Sequence, residues 1–222
     1  MGKLVVGTFV TVDGVMQGPG GPDEDRSGGF EHGGWLVPYF DDMMRQLITD
    51  WTTAAGGLLL GRKTYEIFAA HWPHITAGDP IAAKLNSVRK YVVSHTLAKA
   101  EWNNSTLISA NLETEVARLK RETAGELQVT GSGALIQTLL RHDLIDEYRL
   151  WVFPVLLGSG KRLFAEGTVP TGLKLVDTKV STAGVAIHTY RAAGSLDYGS
   201  FALQEPSEAE VLRRARQAAS GG

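Results

Sequence analysis

Cysteine is absent from the 222-residue chain. That absence removes disulfides, thiolate metal sites, iron–sulfur clusters and a cysteine nucleophile together. It also suits a reducing compartment. An excess of one charge is missing too: 22 basic and 24 acidic side chains leave a formal net charge of −2. No general polyanion-binding surface follows from that balance, so no nucleic-acid partner is expected. No apolar run approaches the roughly 18 residues of a membrane span. The short run at Leu4-Val5-Val6 is followed by Asp13 with no small-residue cleavage site, unlike a secretory signal. The reading is a cytoplasmic protein with no membrane partner. Metal-ligand spacing is also lacking: Trp72-Pro73 separates His71 from His74, and the proline breaks the helix that a ligating pair would need. No metal is expected.

What the chain does have is an ordinary apolar content, 43%, enough to exclude a disordered polymer. Residues 3–12 are β-branched and almost continuously apolar, as in a strand buried on both faces. Residues 13–34 hold eight glycines and two prolines, an unusually long loop of the kind often tied to function. Apolar spacing predicts helix over 35–54, with Phe40, Met43, Met44, Leu47, Ile48 and Trp51 on one stripe. Strands are predicted at 56–61, 91–94, 106–108, 127–130 and 147–157, with helices at 62–71, 80–88, 112–123 (capped by Asn111) and 133–141. Residues 173–180 and 185–190 alternate in period two about Ala183-Gly184, an antiparallel pair. Alternating strands and helices that end in strands alone predict an α/β fold with a mainly parallel sheet and antiparallel C-terminal edge strands. Residues 192–222 form a polar extension ending in a short helix over 207–219, where Ser207 and Glu210 have capping-box spacing.

Three junctions carry chemistry. Gly131-Ser132-Gly133 lies between a strand and a helix, either as a tight turn or as a pyrophosphate cradle. Gly61-Arg62-Lys63-Thr64 places two cations and a hydroxyl at a helix start, where cations oppose the dipole unless an anion is near. Gly158-Ser159-Gly160-Lys161-Arg162 is either a solvated turn or a backbone nest for an anion. None completes a Rossmann or Walker A pattern.

Those junctions, with Thr11-Val12-Asp13-Gly14-Val15-Met16-Gln17, Val93-Ser94-His95-Thr96 and Asp146-Glu147 leading to Pro154–Gly160, resemble the dihydrofolate reductase-like superfamily. The resemblance is nearest to the reductase domain of the bacterial riboflavin-synthesis deaminase-reductase and covers about residues 3–191. It implies a twisted mixed sheet with helices on both faces, a reductase domain over 1–191 and NADPH as cofactor. Carried over, Gly131, Ser132, Gly133, Ala134 and Leu135 would lie along the pyrophosphate. Gly61, Arg62, Lys63 and Thr64 would hold phosphate oxygens. Arg62 with Ser94, His95 and Thr96 would favour the 2′-phosphate, and Val10 would border the nicotinamide.

On the substrate side Asp13, Gln17, Tyr39, Phe40 and Gly158 are candidate contacts. Asp13 and Asp41 are candidate proton-relaying acids. Asp41 falls one residue later after Trp35-Leu36-Val37-Pro38 than the acid of dihydrofolate reductases, about 100 degrees around a helix. Trp35, Tyr39, Phe40 and Trp72 are candidates for stacking surface or for core. Without cysteine, the zinc deaminase half of the bifunctional relative has no counterpart. The resemblance also implies a homodimer pairing near Glu147–Phe153, where Arg149, Trp151 and Phe153 alternate as exposed-type residues. The expected activity is hydride transfer from NADPH to a pterin-like or aminopyrimidine-like heterocycle. The alternative is a non-catalytic nucleotide- or phosphate-binding module on the same fold.

Overall fold

The computed structural model describes residues 2–75, 78–164 and 166–220. Its strands are β1 (Lys3–Thr11), β2 (Ala55–Gly61), β3 (Lys90–Val93), β4 (Ser105–Ile108), β5 (Glu126–Thr130), β6 (Glu147–Phe153), β7 (Gly172–Val180) and β8 (Ala186–Gly194). Its α-helices are α1 (Asp42–Thr53), α2 (Arg62–His71), α3 (Pro80–Ser87), α4 (Leu112–Glu122), α5 (Gly133–Arg141) and α6 (Glu208–Ala219). One eight-stranded sheet runs in the order β4-β3-β2-β5-β1-β6-β8-β7. The first six strands of that row pair in parallel, and β8 and β7 join antiparallel. The chain therefore has the expected mixed sheet, mainly parallel with antiparallel C-terminal strands.

β1 sits at the middle of the sheet, so its apolar run is buried on both faces. Leu4, Val6 and Val10 join Leu127, Val129 and the inner sides of α4 and α5 in one core. Phe9 packs with Trp151, Phe153, Trp35 and α1 on the opposite face. There α2 and α3 close a third cluster through Tyr65 and Leu85. Helices thus cover both faces. Among the described residues no helix is long and apolar enough to cross a membrane.

Four local readings change. The helix expected over 35–54 is broken: Val37–Tyr39 form one 3-10 turn, Phe40 is extended, and α1 starts only at Asp42. Pro38 and the capping acid Asp41 account for the break. Asn111 does stand at the start of α4, but with left-handed backbone (φ 52°) and no side-chain cap bond. β6 stops at Phe153 rather than running to 157, because Pro154 has no N–H to continue the ladder. Finally, β6 cannot pair across a dimer axis, since β1 and β8 occupy both its edges. Arg149, Trp151 and Phe153, read above as exposed-type, are 9, 2 and 0% exposed. β8 runs to Gly194, slightly past the expected domain end at 191, and α6 has no buried residue.

Candidate functional site

β5 leads into α5 through two consecutive left-handed residues, Gly131 (φ 61°) and Ser132 (φ 65°). Glycine adopts that backbone freely, whereas serine pays roughly 1–2 kcal/mol for it. The serine is held there by long-range bonds. Its Oγ accepts the Gly61 N–H at 2.9 Å and donates to Thr64 Oγ1 at 2.8 Å. The start of α5 is thereby lashed to the start of α2. Neither helix has a side-chain cap at its N-terminus, so two sets of leading N–H groups without intrahelical partners are brought together. Such a junction suits a diphosphate. The junction is tightly packed: a Cβ on Gly133 would meet Met16 Sδ at 3.2 Å, and one on Gly131 would meet Thr64 Oγ1 at 3.4 Å.

The rim of this cradle is cationic and polar. Arg62, Lys63, His95 and Thr96 are exposed, and Arg62 donates to Thr96 Oγ1 at 2.8 Å and to Glu66 Oε1 at 2.7 Å. Ser94 is buried, and its Oγ accepts the Thr96 and Leu97 N–H groups, which shapes the turn after β3. Leu135 buries its side chain in the core and can offer only backbone; Ala134 is exposed. The residues expected at the cofactor are thus drawn together, except Val10. Its side chain packs in the core with Leu135 and Ile136 rather than lining the cavity.

Beside the cradle lies a cavity of about 740 Å³, within the size range of small-molecule sites. Its floor is Val5, Gly7 and Phe9 of β1, Gln128 and Thr130 of β5, and Arg149 and Trp151 of β6. One wall is α1, with Arg45, Ile48 and Trp51; the opposite wall is α2 and α3, with Phe68, His71 and Leu85. The 19–24 segment of the glycine-rich loop also lines the cavity. Thr130 borders the cavity and precedes Gly131, whereas Gly61–Thr64, Ser94–Thr96 and Gly131–Leu135 do not line it, so the cradle lies next to the cavity and outside its lining.

The deep end holds a charge network. Arg149 contacts Glu126 at 2.5 and 2.9 Å and Glu147 at 2.8 and 3.1 Å, with its guanidinium 4.8 Å from the Trp51 ring centre. Gln128 ties this network to α1 by donating to the Trp51 carbonyl (2.7 Å) and to Glu126 (2.8 Å).

The two acids favoured from sequence are engaged elsewhere. Asp13 accepts from Thr11 Oγ1 (2.5 Å), Gly158 N–H (2.8 Å) and Leu157 N–H (3.3 Å). The Thr11 hydroxyl is the main cause that holds its carboxyl below the ordinary aspartate value, against a smaller effect of burial. That suits an ionised staple between the loops, not a proton donor. Asp41 is the N-cap of α1: Oδ1 accepts Met44 N–H at 2.9 Å and Oδ2 accepts from Thr182 at 2.7 and 2.9 Å. These bonds, Met44 first, lower its pKa as well. Because Asp41 precedes the helix, the one-residue rotation argued from sequence does not apply. Neither acid lines the cavity.

Gln17 is also structural, though buried and central. Its Nε2 donates to the Asp25 and Ser27 carbonyls and its Oε1 accepts the Lys161 N–H. Tyr39 packs edge-on against Phe153 and Gly158 serves Asp13, while Phe40 does line the cavity. Trp35 belongs to the core and Trp72 lines the cavity. Sequence reasoning missed Glu24, Arg45, Trp51, Gln128 and Arg149. The available signal was a polar residue at an inward position of an otherwise apolar strand, as at Gln128 and Arg149.

Comparison with known proteins agrees with the fold. The uncharacterized protein YyaP of Bacillus subtilis (strain 168) is 29% identical over 197 residues, which covers 86% of this chain and 96% of that one. A solved structure from Shewanella sp. PV-4, provisionally assigned to riboflavin biosynthesis, superposes with a TM-score of 0.63 at 22% identity, covering 86% of this chain and 98% of the other. The dihydrofolate reductase of Enterococcus faecalis, solved with NADP(H), has a TM-score of 0.55 at 14% identity, covering 86% and 96%. At such identities the two structures speak for the fold. Oxidoreductase activity of the riboflavin-pathway reductase type is supported by the family match. Over residues 2–189 the sequence fits the model of the RibD C-terminal domain, and the chain belongs to that family.

Proposed function

We propose that this protein is an NADPH-dependent reductase that delivers hydride to a flat pterin-like or aminopyrimidine-like heterocycle. One observation carries the reading: two uncapped helix starts, tied together by Ser132, lie next to an apolar cavity that reaches Thr130, the residue before Gly131. Reduced nicotinamide, when bound, supplies the hydride. The chain supplies the rest. Backbone N–H groups from Arg62 to Thr64 and from Ser132 to Leu135 hold the diphosphate, with Gly61 and Gly131 shaping the two turns. Arg62, Lys63, His95 and Thr96, with the Ser94 turn behind them, favour NADPH over NADH. For this, Arg62 must turn part of its guanidinium from Glu66 to the extra phosphate. Gly7, Thr8 and Phe9 take the place at the ring that sequence assigned to Val10. Phe40, Trp51, Phe68 and Trp72 offer flat apolar surface that orients a heterocycle and keeps water away.

The proposal keeps a cytoplasmic setting and a homodimer, the latter using the β7 edge or the exposed face of β7 and β8 instead of β6. A second reading, a binding module without turnover, draws on the engagement of Asp13 and Asp41 outside the cavity.

Titration of the purified protein with NADPH and with NADH, followed by tryptophan fluorescence, tests the first reading. Tighter NADPH binding that loses its preference in Arg62→Ala is expected. Failure of both cofactors to bind would remove the reductase reading. Binding with no oxidation of NADPH by any pterin or aminopyrimidine would leave the module.

A further inference from the structure

At about 740 Å³ the cavity holds more than a single flat ring, and the charges that line it decide what the rest of a substrate can carry. Three basic side chains and three carboxylates do so: Arg45, His71, Arg149, Asp23, Glu24 and Asp79. The basic ones offer little to an anion. Arg149 is engaged by two carboxylates, Glu126 and Glu147, which outweigh its charge. His71 packs edge-on against Trp72, with ring centres 5.0 Å apart. Arg45 lies over the Phe40 ring, 5.3 Å from its centre, and has no ion pair among the described residues.

The carboxylates, by contrast, are held in place. Glu24 Oε2 accepts the Gly20 N–H at 2.5 Å, and Asp79 accepts the Ala82 N–H at 2.9 Å as the N-cap of α3. Asp23 is more exposed and pairs with Arg26 at 3.2 Å. The loop that bears Asp23 and Glu24 is packed rather than free. Gly34 and Leu36 donate to the Gly18 and Pro19 carbonyls at 2.8 and 3.1 Å, and the two limbs meet so closely that a Cβ on Gly33 would lie 2.5 Å from the Gly21 oxygen. The groups that suit a phosphate stand elsewhere. Arg62, Lys63, His95 and Thr96 rim the cradle, and none of them lines the cavity. In the Gly158–Arg162 turn, Lys161 pairs with Asp25 and Arg162 lies 3.7 Å from Asp13, and neither cation lines the cavity.

We infer that the substrate is a heterocycle that carries no phosphate: its ring and an uncharged side group fill the cavity, and Asp23, Glu24 and Asp79 turn a sugar phosphate away. The inference rests on the reductase reading above and narrows its substrate class. A phosphate ester bears about 1.5 to 2 negative charges at neutral pH. Inside the cavity it would give up water and meet three carboxylates with only Arg45 to answer them, so the fixed charges reject it. The apolar walls, with Phe40, Phe68 and Trp72, suit an uncharged group in its place.

Calorimetric binding of neopterin and of neopterin 3′-phosphate to the protein saturated with NADP⁺ tests the inference, because the two compounds differ only in the phosphate. Neopterin should bind, and the ester should bind roughly 10-fold more weakly at low salt, the effect of like charges facing each other across a partly desolvated site. In the double variant Asp23→Asn, Glu24→Gln the ester should gain affinity and the gap should shrink to about threefold or less, a gain that a misfolded variant cannot produce. Added salt should narrow the wild-type gap in the same direction. Equal or tighter binding of the ester by wild type would overturn the inference, and its loss in Arg45→Ala would then mark Arg45 as the phosphate site. A gap unchanged in the double variant, or binding of neither compound, would overturn it too. Failure of NADPH and NADP⁺ to bind would instead sink the reductase reading, which the neopterin pair does not address.

Discussion

Arg149→Met isolates what the charge network under the cavity contributes to stability. Methionine keeps most of the stem and removes a guanidinium whose side chain is 11% exposed. Glu147 would keep Lys3 at 3.3 Å and Arg191 at 3.9 Å, whereas Glu126 would keep only the Gln128 amide at 2.8 Å. Breaking a buried pair on one side costs about 3–5 kcal/mol. Lys3 still serves Glu147, so the lower end, about 3 kcal/mol, is expected. In a domain of this size that is a fall in Tm of roughly 6–12 °C. The orphaned charge is the mechanism, so adding Glu126→Gln to the variant should restore about 1–2 kcal/mol. Thermal and urea unfolding of the single and double variants, followed by circular dichroism, measure both effects. A loss below about 1 kcal/mol for Arg149→Met, or a double variant no more stable than the single, would refute the reasoning.

Three further outcomes follow from contacts described above. Ser132→Ala removes the acceptor for the Gly61 N–H, and NADPH affinity measured by fluorescence should fall about tenfold; unchanged affinity would deny that the tie shapes the cradle. Asp41→Ala removes the cap of α1 and the Thr182 tether, so Tm should drop a few degrees while cofactor binding and reduction persist. Loss of reduction in a folded Asp41→Ala protein would restore it as the acid. For Asp25, burial alone would raise the pKa, but Lys161 and Ser27 outweigh it and hold the carboxyl at about 2. Its stabilisation is thus complete above the ordinary 3.8 and is lost as pH falls from there towards 2. Lys161→Met should flatten that part of the acid-unfolding curve by about 1 kcal/mol, discounted because Lys161 is half exposed. Superimposable curves would disprove the link.

The cradle was legible because its information is local: a glycine at the end of an apolar strand, next to a helical pattern, places a bare turn whatever the rest of the chain does. The mainly parallel sheet followed from the alternation of elements, and even the antiparallel finish could be read from period-two spacing; the strand order could not. The acid was another matter. Whether Asp13, Glu24 or Asp41 faces a shared space depends on Thr182, on Gly158 and on the packing of one loop limb against another, none of which spacing reports. Arg149 was misread for a related reason. A charge on a strand ordinarily points to water, and its burial is tolerated only through Glu126, Glu147 and Trp51, which lie elsewhere in the sequence. Helix ends fell between these cases. The predicted helix ran through Pro38, and the capping role of Asp41 emerged only with the start of α1.

The place of β1 has a consequence for the order in which the protein can assemble. It precedes the other strands of the sheet in the sequence, yet its neighbours are β5 and β6, and the first residue it pairs with on β5 is Glu126, more than 100 residues on. Until then the most apolar strand has no sheet to join, while β2, β3 and β4 can pair through short crossovers. Such distant pairing slows folding and leaves a sticky segment uncovered. The glycine-rich loop that follows β1 keeps this waiting segment attached to polar, poorly aggregating chain. Synthesis rate and chaperone supply should therefore govern yield more than the stability of the finished sheet does.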